Sequence, residues 1–79
     1  MNKDALLIPC TRAFNIYQNS PYGDAWKKMS YHELVSIAAY KARRASLLPP
    51  NDPKIEDDIL DSLNFLMFAW HRWQEENGE

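Results

Sequence analysis

Seventy-nine residues, 46% of them hydrophobic, make one domain whose own core is marginal unless oligomerisation, a metal or disulfides add to it. The single cysteine, Cys10, excludes an intrachain disulfide and fits a reducing cytoplasm better than a secreted scaffold. A net charge of −2 argues against coating DNA, whose binding is dominated by phosphate neutralisation, but it allows a small phosphorylated ligand held by a few cations.

No apolar run approaches the length that crosses a bilayer. Leu7-Ile8-Pro9-Cys10 has the outline of a lipoprotein cleavage site, but Asp4 and the short apolar stretch make a poor signal peptide.

The N-terminal stretch predicts one helix, with Ala13, Phe14, Ile16 and Tyr17 at helical spacing and an end at Gln18-Asn19-Ser20-Pro21. Pro9 either lies inside that helix or splits it from Asp4 to Ile8. Pro21-Tyr22-Gly23-Asp24 has turn chemistry, and Asp24 can cap a short helix holding Trp26 and Met29. Tyr22 and Trp26 either plug the end of a helical bundle or flank a ring in a pocket.

Ser30-Tyr31-His32-Glu33 is a capping box, and the helix it opens runs to about Leu47. Leu34, Ile37, Ala38, Ala42 and Ala45 supply its core side, and the alanines permit a close neighbour. Lys41 and Arg44 share a face with Ile37 and Leu48, so they either snorkel across apolar surface or meet partners there. Pro49-Pro50-Asn51 then stops the chain, which returns as an antiparallel helical hairpin.

Asp52 and Pro53 are good starting residues for the third helix, and Glu56, Asp57 and Asp58 suit the positive end of its dipole. It runs to about Glu76, roughly 36 Å at 1.5 Å per residue, which exceeds the roughly 30 Å width of a compact chain of this size. Between Leu63 and Trp70 only Asn64 is polar, so burial on all sides is expected, with a second subunit as the natural cover. The remaining Gln-Glu-Glu-Asn-Gly-Glu is a solvated tail with Gly78 as its stop. The fold class is therefore all-α, a helical hairpin core with an additional N-terminal helix, oligomerising into a bundle.

Asp61 lies beyond the first turn beside Leu60 and Leu63, where capping does not explain a carboxylate. It either pairs with Lys41 or Arg44 or joins Asp58 on a hard cation such as Mg²⁺. Asn64 is either a buried hydrogen-bond organiser or a ligand contact. Cys10, His32 and His71 lack companions at metal-ligand or nucleophile spacing.

Tyr22-Gly23-Asp24-Ala25-Trp26, then Lys41 and Arg44, then Asp58-x-x-Asp61-x-x-Asn64-Phe65 together resemble the phage and bacterial nucleotide-modification-associated helical domain. That domain is a relative of the MazG-like all-α nucleoside triphosphate pyrophosphohydrolases, and the likeness covers roughly residues 13 to 70. It implies an oligomer holding a phosphorylated nucleotide in intersubunit pockets, with Asp58 and Asp61 as one acidic pair for Mg²⁺. The other acidic pair is missing: helix two has only Glu33 near its start, and Lys41-Ala42-Arg43-Arg44 stands where E-x-x-E is expected.

The resemblance thus implies binding without turnover. Lys41 and Arg44 would meet phosphate, and Tyr22 or Trp26 would stack on the base. Asp24 belongs to the same motif, and Asn64 would read a polar edge. In a phage such a protein would sequester an immune nucleotide signal. A Mg²⁺-dependent pyrophosphohydrolase and a small inhibitor using Phe65, Phe68, Trp70 and Trp73 against a protein partner are the alternatives.

Overall fold

The computed structural model describes residues 1–21 and 23–77. Among them the chain forms α1 (Lys3–Gln18), a short 3-10 helix (Ala25–Lys28), α2 (Tyr31–Leu47) and α3 (Lys54–Glu76), with no strand. The all-helical expectation holds. Tyr22 and the expected stop at Gly78 lie outside the described residues.

The helix α1 is one continuous element with Pro9 inside it, capped by Asn2, whose side chain accepts from the Ala5 amide at 2.8 Å. Proline here removes one backbone donor, and the bond it forgoes would have reached the solvent-exposed Ala5. Half of the expected capping box forms: the Glu33 amide donates to the Ser30 hydroxyl at 3.2 Å, while the Glu33 carboxylate accepts from that same hydroxyl at 3.3 Å. The Asp52 carboxylate accepts from the Lys54 amide at 2.9 Å and so opens α3 one residue later than its sequence pattern suggests.

The helices α2 and α3 run antiparallel, since Lys41 meets Asp61 and Arg44 meets Asp58, later residues of one facing earlier residues of the other. Small residues let them approach: the Ser62 hydroxyl lies 3.2 Å from the Ala38 carbonyl and 2.8 Å from that of Asp58. The helix α1 crosses α3 and is tied to it where the Asn64 amide donates to the Ala13 carbonyl at 2.8 Å.

Among the described residues the buried apolar ones are Ala13, Leu34, Ala38, Leu60 and Ala69, and three of these five are alanine. So small a core stabilises a single copy only weakly. Within the single chain, α3 leaves Ile59, Leu66, Trp70 and Trp73 between 44% and 53% exposed.

Candidate functional site

A partly open cavity of about 460 Å³ lies where the turn before α2 folds over α2 and α3. Its apolar walls include Tyr17, Trp26, Phe65 and Phe68, and Lys41, Asp61 and Asn64 bring polar groups to it.

The aromatic side is organised by Trp26. Its indole stacks on Phe68, with ring centroids 4.7 Å apart and planes 7° from parallel. Its Nε1 donates to the Tyr17 hydroxyl at 3.2 Å, and Tyr17 in turn donates to the Asp24 carboxylate. Tyr17 and Phe65 each meet Phe68 edge-on, at 5.0 and 5.9 Å. Sequence reasoning did not single out Tyr17, although its helical spacing with Ala13 placed it on the inner side of α1.

Asp24 occupies the capping position of the 3-10 helix, yet its side chain makes no cap. It fastens the turn instead, through Tyr17 and through Lys27 at 3.4 Å. The Tyr17 hydroxyl, with Lys27 nearby, holds the Asp24 carboxyl below its ordinary range. Gly23 turns the chain at φ +52°, a conformation that suits glycine. From the other side, Arg72 Nε donates to the Met29 carbonyl at 2.8 Å and pins the end of the turn to α3.

The basic and acidic residues of the hairpin meet in two pairs. Lys41 Nζ lies 3.5 Å from Asp61, and both side chains are partly exposed at the cavity. Arg44 and Asp58 form a two-pronged contact at 2.8 and 2.5 Å, in which Asp58 is 1% exposed and the guanidinium keeps a solvent-facing edge. The Arg44 fork holds the Asp58 carboxyl below its ordinary range against the cost of burial, with Lys41 and Lys54 adding to the effect. Asp58 reciprocally raises the Arg44 guanidinium.

Trp26, Lys41, Asp61 and Asn64 thus converge on one cavity. Asn64 is buried and committed to Ala13, so it acts as a hydrogen-bond organiser at the cavity floor. Asp24, Arg44 and Asp58 do not line the cavity, though Arg44 follows Lys41 by three residues on α2 and shares its side of the helix.

Mg²⁺ takes carboxylate oxygens that are free to coordinate it. Both oxygens of Asp58 are engaged by Arg44, and Asp61 faces Lys41. Among the described residues no group of three or more His, Cys, Asp or Glu could hold a metal ion. The donor set has the chemistry of two ion pairs and does not fit a Mg²⁺ centre. Among the described residues no helix is long and apolar enough to cross a membrane.

No family model, curated protein or solved structure matches the chain.

Proposed function

We propose that the chain binds a phosphorylated nucleotide without turning it over, with the ring in the aromatic cavity and the phosphate directed along Lys41 toward Arg44. The carrying observation is the meeting of Trp26, Phe65 and Phe68 with the Lys41–Asp61 pair at one opening. Flat rings favour aromatic walls, and a Lys–Asp pair offers one donor and one acceptor side by side. A volume of about 460 Å³ lies within the usual range of small-molecule sites. Beyond the opening, Arg44 uses two of its five N–H donors on Asp58, which leaves donors on its outer edge for a phosphate oxygen.

The motif resemblance gives this reading its ligand class, and with it the setting of a phage protein that sequesters a nucleotide signal in the cytoplasm. The pyrophosphohydrolase alternative stands lower, because Mg²⁺ at Asp58 requires Arg44 to withdraw. Copies of the chain associate through the exposed side of α3, which brings apolar side chains out of water.

The test is calorimetry of the folded protein against mono-, di-, tri- and cyclic nucleotides. Saturable heat is expected for at least one of them, weakened about tenfold or more in Lys41→Ala. Absence of heat across the whole panel overturns the reading.

A further inference from the structure

Ile59, Leu63, Leu66, Trp70 and Trp73 follow one another on α3 at alternating intervals of four and three, the spacing of a coiled-coil seam. No charged residue falls among them. At 100° per residue this seam lies roughly half a turn around the axis from Asp61, Asn64, Phe65 and Phe68, which face the cavity. On α2 the exposed Val35 lies on the seam's side of the hairpin, whereas Ile37 and Lys41 line the cavity.

We infer that the seam is the contact of a two-fold dimer in which the two α3 helices run antiparallel and cross at Leu66, leaving both cavities facing outward. This rests on the self-association proposed above and adds its geometry. The seam complements its own inverted copy. A two-fold axis at Leu66 sets Ile59 against the partner copy's Trp73 position and Leu63 against its Trp70 position, so the bulky end of each seam meets the slimmer end of the other. A parallel pairing stacks indole on indole at both positions instead.

From Ile59 to Trp73 the seam is roughly 21 Å long. With the flank of α2 around Val35 these side chains expose on the order of 500 Å² per copy, so that covering them buries about 1,000 Å² in total, the lower bound of a specific interface. That area supplements a core in which, among the described residues, three of the five buried apolar ones are alanine.

Light scattering on the full chain at micromolar concentration is expected to give twice the 9.3 kDa chain mass, and Leu66→Glu half of that with its helical circular dichroism kept. A wild-type monomer, or a folded Leu66→Glu dimer, overturns the inference. Orientation is read in a Cys10→Ser background with the seam otherwise native. A mixture of Ile59→Cys and Trp73→Cys chains is expected to cross-link on mild oxidation at least tenfold faster than either chain alone. Faster coupling of Ile59→Cys to itself overturns the antiparallel arrangement while leaving self-association standing. A chain that gains mass only with a different protein overturns both. Because the cavities face outward, nucleotide heat measured on Leu66→Glu tests the ligand reading separately.

Discussion

Arg44 holds the buried Asp58 carboxylate through two hydrogen bonds while its own guanidinium keeps an exposed edge, three residues along α2 from the looser pair that Lys41 makes with Asp61 at the cavity. The two pairs are chemically alike and differently placed. One closes the hairpin near its loop, and the other remains within reach of a ligand.

The closed pair predicts acid sensitivity. Asp58 titrates lower in the folded chain than in the unfolded one, so its contribution is present above the unfolded carboxylate range and is lost as pH falls through the folded value. Thermal melting of the wild type should fall steeply below about pH 4. Asp58→Asn should melt at least about 5 °C lower at neutral pH and show a shallower acid slope. Equal slopes in the two proteins would show that the pair contributes nothing to acid stability.

Asn64 predicts a loss of a different kind. Replacing it with alanine leaves the Ala13 carbonyl, at a buried site, without its 2.8 Å donor. Urea unfolding should report about 1–3 kcal/mol of destabilisation, together with loosened attachment of α1. Hydrogen exchange should quicken in α1 before it does in α2.

The turn over the cavity should loosen when Arg72 is replaced by alanine. The Met29 carbonyl loses its donor, and Glu75 and Glu76 lose their cation. Exchange at residues 25–30 should accelerate by about tenfold, with the amides in the middle of α2 unchanged. Uniform acceleration would instead mean that the whole hairpin had been weakened.

Trp26 bears on ligand binding more directly. Its alanine variant removes the stacked wall and should weaken nucleotide binding by about 1–3 kcal/mol, as measured for bases lying on aromatic rings. Trp26→Phe keeps a ring against Phe68 while giving up the hydrogen bond to Tyr17, and should recover most of that loss.

Much of this architecture was legible because it rests on local rules. Ser30 and Glu33 mark the start of α2, Asp52 and Pro53 that of α3, and two prolines set the hairpin between them. That hairpin alone brings Lys41 and Arg44 to the acids of α3. Which base takes which acid depends on side-chain reach in three dimensions, and the sequence left Asp61 open to either.

The contacts that assemble the cavity were less visible because they join distant positions. Asn64 finds a carbonyl 51 residues away, and Arg72 one 43 residues away. Neither carbonyl carries a side-chain signature. The apolar run around α3 called for cover beyond the chain's own helices, and within one chain α1 and α2 leave one side of the rod open.

The most direct measurement of the ligand reading is a calorimetric cycle that compares a nucleoside and its 5′-monophosphate on the wild type and on Lys41→Ala. The phosphate should add at least tenfold to affinity for the wild type and little for the variant, while the nucleoside binds both alike. An undiminished phosphate increment in Lys41→Ala, or no binding of either compound to the wild type, contradicts the assignment of Lys41 and the aromatic cavity to one nucleotide.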